Sequence, residues 1–488
     1  MSSEILINVT PTETRAVIVD NGVLQEVFIE RAEYRGLVGN IYKGRVCRVL
    51  PGMQAAFVEI GLTRAAFLHA SDISIPQGQT GNLQETKVPA ITSLLREGQE
   101  VLVQVIKDPM GTKGARLTTQ LSVSSRYLVY MPEIHGIGVS LKIEDEKERD
   151  RLKGCLASQI TLDNGGYILR TAAEGIQEGD LLTDLQFLHR LWGKVKDRKE
   201  IVKSGEALHE DLPLALRSLR DLFSPDVEKI RIDSKETFCE ATKFAEGFMP
   251  GCASRLEHYK GAAPLFDLYS VEDEIQKALE RKVLLKSGGH LIFDQTEAMT
   301  TVDVNTGGFV GHKNLEETIF KTNLEAAQAI ARQLRVRNLG GIIILDFIDM
   351  EEIEHRDQVL LTLEKAMSGD RVRHNIYGVS ELGLVEMTRK RSRESLGHVL
   401  CDPCSACGGK GYTKSIETVC YEIFREVLRE AKQYETSRLM VLASQDVIDR
   451  LNEDDSTYVA DLEQFIGKAI SFKAEHQYGP EQFNVVLM

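Results

Sequence analysis

The sequence predicts a multidomain α/β protein, α+β overall, and three observations predict this fold class. The chain has 488 residues, which is enough for three or four domains of roughly 100–150 residues each. Short strands with frequent glycine fill residues 36–119 and are typical of a small β-barrel. Strand-type runs at 291–304 and 341–348, each followed by a helical pattern, predict a βαβα unit with helices near Asn314 and after Met350.

Composition and charge are those of a globular protein without a transmembrane helix. Hydrophobic residues make up 42% and charged residues 27% of the chain, as in ordinary globular proteins. Because no run of about 18 uncharged apolar residues occurs, we predict no transmembrane helix. The amino terminus lacks a basic region and a cleavage site, so we expect a cytoplasmic location. The formal charge of −14 argues against indiscriminate polyanion binding, but it leaves a local basic site for nucleic acid open.

Strand and helix patterns also fill the rest of the chain. The first 30 residues contain two strand patterns and a turn at Asn21-Gly22. A polar loop insertion begins at Ser74 within the barrel pattern. The later patterns are a strand at 127–130, a helix at 144–159, a strand at 166–171, a helix at 180–201, a helix–strand–helix region at 213–280 ending in an amphipathic helix at 270–285, and a small α/β region at 416–488.

Carboxylates interrupt two strands that otherwise consist of core residues. Asp303 and Asn305 are two residues apart in one strand, so their side chains project to the same face. Asp346 ends the apolar run 341–345, where an ionised carboxylate needs a cation or an open strand end. These hard oxygen ligands suit Mg²⁺. Pairing with arginine or turn capping stays open for each aspartate, and for Asp349 we favour capping of the following helix.

Aromatic and basic residues in the barrel region predict a nucleic-acid surface. Phe57 and Phe67 occur in strand patterns with lysine and arginine nearby, including Lys113. Bases stack on such aromatic rings while basic groups neutralise phosphates, which is typical of proteins that bind single strands. On spacing alone, the two phenylalanines are more typical of a barrel core.

A basic run and a cysteine cluster follow the acidic strands. Arg389, Lys390 and Arg391 belong to the densest basic run, which is either a solvated face or a contact to the phosphates of a nucleic acid. The cluster has the spacing of a zinc knuckle and consists of Cys401, Cys404 and Cys407, with His398 as a candidate fourth ligand. In a reducing compartment the remaining cysteines are expected to be buried free thiols: Cys47, Cys155, Cys239, Cys252 and Cys420.

Five motifs spread over the chain resemble the ribonuclease E/G family, and residues 36–120 resemble the S1 RNA-binding barrel. The motifs are Gly52-Met-Gln-Ala-Ala-Phe-Val, Arg170-Thr-Ala-Ala-Glu-Gly, Thr301-Val-Asp-Val-Asn-Thr-Gly, Asp346-Phe-Ile-Asp-Met and Glu386-Met-Thr-Arg-Lys-Arg. The resemblance implies a single-strand-specific endoribonuclease that acts on rRNA precursors and mRNA. It also implies products with 5′-phosphate and 3′-hydroxyl ends.

The resemblance implies specific roles for the matching residues. Asp303 and Asp346 would hold a catalytic Mg²⁺, and Asn305 would help to orient the scissile phosphate. Arg170 and Thr171 would bind the 5′-monophosphate of the RNA, with a backbone contact at Val129. A salt bridge is the alternative for Arg170.

Zinc would join two protomers in the resembled family. The metal is shared there between two Cys-x-x-Cys pairs, one from each chain, which implies Cys404 and Cys407 as ligands and a homodimer. Cys401 forms an overlapping pair, so its part in the site stays open. Whether dimers associate into tetramers is also open.

The resemblance further implies a domain order. An S1 barrel is inserted in a ribonuclease-H-like and 5′-sensor region, and a metal-dependent nuclease domain follows. The expected segments are 1–35 and 215–280 for the two parts of the ribonuclease-H-like domain, 36–120 for the barrel, 121–214 for the sensor, 281–400 for the nuclease, 401–415 for the zinc link and 416–488 for the small carboxyl-terminal domain. A non-catalytic S1 RNA-binding protein is the alternative function.

Overall fold

The computed structural model describes residues 3–33, 35–74, 89–109, 114–160, 165–307, 315–380 and 382–488. Most of the predicted insertion that begins at Ser74, together with Lys113 and the predicted helix cap Asn314, lies outside these ranges. The chain divides into two compact units, Met1–Val399 and Leu400–Met488. No helix within the described ranges is both long enough and apolar enough to pass through a bilayer.

An antiparallel meander begins the first unit. Its strands are β1 (Ser3–Val9), β2 (Glu13–Asp20) and β3 (Val23–Arg31). Asn21 and Gly22 both have positive φ angles, 48° and 79°, as a tight two-residue hairpin turn requires. The predicted turn is therefore present, but it joins the second predicted strand to a third strand that the sequence analysis missed.

A closed β-barrel follows, as the glycine-containing strands predicted. Its elements are β4 (Ile41–Leu50), β5 (Ala55–Glu59), β6 (Ala66–His69), α1 (Ile91–Leu94), β7 (Glu100–Lys107) and β8 (Arg116–Thr118). The ladder runs β4-β5-β6-β8-β7 and returns from β7 to β4, so the barrel has no free edge among these five strands. Apolar side chains fill its interior.

The next region is a small sheet covered by a long helix. Its elements are β9 (Val123–Ser124), β10 (Leu128–Met131), β11 (Gly136–Val139), α2 (Glu146–Ala157), β12 (Gly166–Leu169), α3 (Glu178–Lys199) and β13 (Ala207–His209). The sheet order is β11-β12-β10-β9, whereas β13 pairs with β4 of the barrel. Both helices predicted here are present, within two residues of their expected bounds.

The following segment completes the amino-terminal sheet. Its elements are α4 (Leu214–Leu222), β14 (Val227–Ile232), α5 (Lys235–Phe248), α6 (Pro250–Ala253), β15 (Leu256–His258) and α7 (Val271–Lys277). Because β14 pairs in parallel with β1, the sheet order is β15-β14-β1-β2-β3. The two segments that the family resemblance assigns to one domain thus share a sheet, while the ribonuclease-H-like designation stays a prediction. The predicted helix at 270–285 is wrong beyond Lys277.

A six-stranded sheet with two helices on one face forms the rest of the first unit. Its elements are β16 (Lys282–Leu284), β17 (His290–Gln295), β18 (Met299–Asn305), α8 (Leu315–Val336), β19 (Gly341–Asp346), α9 (Ile353–Met367), β20 (His374–Val379), β21 (Val385–Arg389) and α10 (Leu396–Leu400). The order is β16-β17-β18-β19-β21-β20, with β18 and β19 parallel. The predicted strand 291–304 is in fact the hairpin of β17 and β18.

The second unit is a small α/β fold. Its elements are α11 (Ile416–Gln433), β22 (Arg438–Ala443), α12 (Gln445–Asn452), α13 (Ser456–Ile466), β23 (Ala469–Ala474) and β24 (Phe483–Leu487). The three strands have the order β23-β22-β24, and the helices pack with them around one apolar core.

Candidate active site and RNA-contact residues

Asp303 and Asp346 lie side by side on the six-stranded sheet of the first unit. The strands that carry them, β18 and β19, are parallel neighbours, and these two residues are paired in the ladder. Both side chains are exposed, whereas their apolar neighbours along each strand face the core beneath α8 and α9. Period-two alternation therefore places both carboxylates on the sheet face opposite the helices.

Asn305 joins this pair, as its spacing predicted. Its Nδ2 donates a hydrogen bond to Oδ2 of Asp303 at 2.8 Å. One amide hydrogen and the amide oxygen remain for a further partner. The three residues therefore present carboxylate and amide oxygens together at the carboxyl end of two parallel strands.

The electrostatics of the pair favour a bound cation. Partial burial, and then the negative charges of Asp303 and Asp349, raise the pKa of Asp346 above its ordinary value. No positively charged group in the described residues offsets this effect on Asp346. Asp349 is not the helix cap that we favoured, because the N-cap of α9 is Glu352. It adds a third carboxylate near the pair instead.

The donor set fits Mg²⁺ better than a metal held wholly by protein ligands. Within the described ranges, no three histidine, cysteine, aspartate or glutamate side chains form a metal-binding group. Mg²⁺ is usually held by only one or two carboxylates and keeps waters that substrate phosphates can replace. Asp303 and Asp346 supply that number of carboxylates.

Arg170 is held in a fixed orientation at the end of β12. Its Nη1 donates to the carbonyl oxygen of Ser125 at 2.6 Å, and its Nη2 donates to Oδ1 of Asp221 at 2.8 Å. Burial opposes the charged form of Asp221, but bonds and attraction from Arg220 and Arg170 lower the pKa of Asp221 below its usual value. The salt-bridge alternative is thus realised, and 31% of the Arg170 side chain remains exposed.

Thr171 lies next to Arg170, and its side chain is exposed. Its Oγ1 is 2.9 Å from Oγ of Ser140, which lies just after β11. Val129 is in β10, which pairs with β12, opposite Ile168. The structure therefore brings the predicted phosphate-binding residues together on one small sheet and adds Ser140, which the sequence analysis did not single out.

Phe57 and Phe67 form an aromatic pair on the outside of the barrel. They face each other across β5 and β6, with ring centroids 6.2 Å apart in an edge-to-face arrangement. Both are partly exposed and neither belongs to the barrel core, so the interpretation from spacing alone as core residues is wrong. Two arginines that the sequence analysis missed flank them, since Arg48 pairs with Phe57 and Arg116 with Phe67 in the neighbouring ladders.

The basic run does not act as one surface. Arg389 is 3% exposed and donates to Asp370 through Nε at 2.7 Å and Nη2 at 3.2 Å. Its Nη1 donates to the carbonyl oxygen of Leu339 at 2.8 Å. The prediction of Arg389 as an RNA contact is therefore wrong, because strand alternation turns it into the core. Lys390 and Arg391 are exposed, and Arg391 also bonds backbone carbonyls.

Backbone N–H groups bond to two residues of the cysteine cluster, whose three thiols do not form a metal-binding group within the described part of one chain. The Gly411 N–H donates to Sγ of Cys407 at 3.4 Å, and the Gly408 N–H donates to the carbonyl oxygen of Cys404 at 2.7 Å. Backbone N–H groups, that of Gly411 first, lower the pKa of Cys407 and so favour its thiolate. Thiolates are the ligands that structural zinc requires. His398 belongs to the first unit, where its Nδ1 is 2.8 Å from Oγ of Ser395.

Comparison with known proteins covers the whole chain. Residues 122–392 match the ribonuclease E/G family, residues 403–487 match the thioredoxin-like domain of RNase E/G, and residues 37–120 match the S1 RNA binding domain. Ribonuclease G of Escherichia coli strain K12 is 55% identical over 491 residues, which cover 100% of both chains. Ribonuclease G of Haemophilus influenzae is 54% identical over 488 residues, or 99% of each chain. Ribonuclease E of Haemophilus influenzae is 36% identical over 461 residues, which are 94% of this chain and 49% of that protein.

The buried position of Arg389 generates a stability prediction. Arg389→Ala should lower the free energy of unfolding of the nuclease domain by about 3–5 kcal/mol, because it leaves Asp370 buried and unpaired. Urea denaturation of the purified protein measures this loss. The matched control Lys390→Ala, at an exposed position, should change the value by less than about 0.5 kcal/mol. Similar small effects of both changes would contradict the structural role of Arg389.

Proposed function

The chain belongs to the ribonuclease E/G family and is an endoribonuclease, and from this premise we propose that Asp303 and Asp346 hold a catalytic Mg²⁺. The observation that carries the proposal is the paired position of the two carboxylates on adjacent parallel strands, with Asn305 bonded to Asp303. Among family members, the chain is most similar to ribonuclease G. Its substrate is single-stranded RNA, with rRNA precursors and mRNA as the cellular targets.

The side chains of the site have different roles in cleavage. Asp303 and Asp346 bind the cation and fix its place at the strand ends. When bound, Mg²⁺ supplies Lewis-acid polarisation of the phosphate and activation of the attacking water. Asn305 orients the scissile phosphate through the amide hydrogen that Asp303 does not use. Hydrolysis leaves a 5′-phosphate on one product and a 3′-hydroxyl on the other.

The pocket at Arg170 and Thr171 serves as the sensor of the RNA 5′ end. The exposed part of the Arg170 guanidinium and the Thr171 hydroxyl donate hydrogen bonds to a terminal monophosphate, as arginine and threonine commonly do. Val129 contributes a backbone contact. Asp221 prevents the arginine from changing rotamer and so prepares the pocket before RNA arrives.

The barrel supplies a second contact to the RNA, away from the metal. Phe57 and Phe67 stack on bases, and Arg48 and Arg116 lie in register beside them. Lys113, predicted to contribute here, lies outside the described residues. Because Arg389 is buried, Lys390 and Arg391 are the residues of the basic run that contact RNA phosphates.

Zinc joins two copies of the chain through Cys404 and Cys407. Each chain supplies two thiolates, which together make the four ligands of a structural site. The cytoplasm, the location that we propose, keeps such thiols reduced. The resulting assembly is a homodimer.

Cleavage assays with and without Mg²⁺ test the metal site and the reaction together. A short AU-rich single-stranded RNA with a 5′-monophosphate should be cut internally with Mg²⁺ present and remain intact with EDTA. Asp303→Asn and Asp346→Asn should abolish cleavage but leave RNA affinity within roughly tenfold, because the change removes metal chemistry rather than docking. Gel assays measure the cleavage, and filter binding measures the affinity.

Asp294→Asn provides the control for this experiment. Asp294 lies in β17 of the same sheet, but it forms a salt bridge with Arg281 and does not belong to the acidic pair. The Asp294→Asn variant should retain wild-type cleavage. Cleavage that survives in Asp346→Asn would refute the assignment of the site, and tight binding without cleavage by the wild type would favour the non-catalytic alternative.

The sensor generates a prediction about substrate ends. Arg170→Gln should slow cleavage of 5′-monophosphorylated RNA by at least about tenfold while barely changing a 5′-hydroxyl substrate, because only the former loses a charge-assisted contact. The ratio of kcat/KM for the two substrates is the measurement. Arg151→Gln, which changes an exposed arginine of the same domain, is the control. An equal effect on both RNAs would remove Arg170 from the pocket.

The zinc link generates a prediction about assembly. Cys404→Ser should lose the bound zinc and shift the molar mass from dimer to monomer, because the substitution is present in both chains and leaves only the two Cys407 thiolates of the four ligands that a structural site needs. Elemental analysis measures the zinc, and light scattering measures the mass. Cys239→Ser, an exposed thiol on α5, should change neither quantity. A zinc-free wild-type dimer would exclude this link.

A further inference from the structure

Asn323 is a buried amide beneath the active site. It lies on the sheet-facing side of α8, and 0% of its surface is exposed. A polar group in such an apolar core costs free energy unless its donor and acceptor are both bonded. Its Nδ2 donates to the carbonyl oxygen of Ile348 at 2.8 Å, and its Oδ1 accepts from the Ile348 N–H at 3.2 Å. One side chain therefore satisfies both backbone groups of one residue.

Ile348 lies just beyond the end of the strand that carries Asp346. The ladder between β18 and β19 ends at the pair Asp303–Asp346, and the ladder between β19 and β21 ends one residue earlier. Beyond this point, the described strands offer the chain no further pairing. The Asn323 amide takes the place of a partner strand and fixes the backbone two residues after Asp346 and one residue before Asp349.

We propose that Asn323 is a positioning residue for the divalent cation of the active site, an inference that rests on the proposed function. By holding the backbone of Ile348, it sets the direction in which the chain leaves β19 and thereby the orientation of Asp346 beside Asp303. Loss of a contact that orients a metal ligand typically weakens metal affinity or activity by roughly 10- to 100-fold. Asn323 therefore acts on the metal through the backbone, without touching it.

Asn338 provides a matched comparison for a purely structural role. It is also an asparagine, 7% exposed, and it follows α8. Its Nδ2 donates to the carbonyl oxygens of Arg393 at 3.1 Å and Glu394 at 3.0 Å. It lies near Arg389, which pairs with Gly341 at the opposite end of β19 from the carboxylates. Removing this amide loosens the same domain without disturbing the metal edge.

The test measures metal binding in the absence of RNA. The full-length wild type, Asn323→Ala, Asn338→Ala and Asp346→Asn are titrated with Mn²⁺, and the electron paramagnetic resonance signal of the free ion reports binding. We expect the wild type to bind an ion that Asp346→Asn loses, and Asn323→Ala to bind it roughly tenfold more weakly. Asn338→Ala should stay within about twofold of the wild type, because its site lies far from the carboxylates.

Cleavage and RNA binding supply the second set of measurements. The Mg²⁺ concentration for half-maximal cleavage should rise in Asn323→Ala by about the same factor as the Mn²⁺ dissociation constant. RNA affinity measured in EDTA should match that of the wild type, since docking does not use the cation. If Asn323→Ala does not fold, Asn323→Ser keeps a small polar group, cannot reach both backbone groups of Ile348, and should show the same weakening.

The possible outcomes separate the inference from its premise. Unchanged Mn²⁺ affinity in Asn323→Ala, with loss of the ion in Asp346→Asn, would overturn the positioning role alone. Equal weakening in Asn323→Ala and Asn338→Ala would assign the effect to general loosening of the domain and would overturn it as well. Failure of the wild type to bind Mn²⁺ through Asp346 would instead overturn the proposed function.

Discussion

The parallel ladder between β18 and β19 is the constraint on which the proposed active site depends. It places Asp303 directly beside Asp346, while alternation sends their apolar neighbours toward α8 and α9. A slip of one residue in either strand would bury a carboxylate and expose a core side chain, so the apolar face fixes the register. Packing of the hydrophobic core thus determines the spacing of the charged groups. The negative charges of the two carboxylates repel each other. This repulsion is tolerable at an open strand end, and a bound cation would offset it.

The sequence predicted the parts of this site that depend on local pattern. Asp303, Asn305 and Asp346 stand out because polar residues interrupt apolar strands, and that signal needs only a few neighbouring residues. Partners that come from distant segments gave no such signal: Asp221 is 51 residues from Arg170, and Asn323 is 25 residues from Ile348.

Other errors arose where tertiary structure overrides local pattern. Arg389 belongs to a run of positive charge, but strand alternation and the partner Asp370 determine that it is buried. The amphipathic pattern at 270–285 ends at Lys277 as a helix, because Lys282–Leu284 pairs with β17 at the edge of the sheet. The predicted roles of the side chains in RNA binding rest on the family, since their positions alone are compatible with several ligands.

The site around Arg170 that we propose for the RNA 5′ end contacts the domain that carries Asp303 and Asp346. Nη2 of Arg371 donates to the carbonyl oxygen of Leu222 at 2.9 Å, and Nζ of Lys142 donates to the carbonyl oxygen of Arg371 at 3.3 Å. Leu222 follows Asp221, the carboxylate that holds Arg170. The segment that carries Arg371 leads into β20 of the nuclease sheet. A short series of hydrogen bonds therefore connects the proposed site for the RNA 5′ end with the sheet that carries Asp303 and Asp346.

The strands of the sheet β15-β14-β1-β2-β3 are synthesised in a different order from the one in which they pair. β1 occupies the centre of that sheet, yet its parallel neighbour β14 emerges about 200 residues later. At typical synthesis rates that delay is roughly 10–40 s. During this time the edge of β1, with Ile5, Leu6 and Ile7 that are fully buried in the finished fold, stays without its neighbour and is open to wrong pairing. Until β14 has been synthesised, pairing of the β1 edge with another strand competes with correct folding.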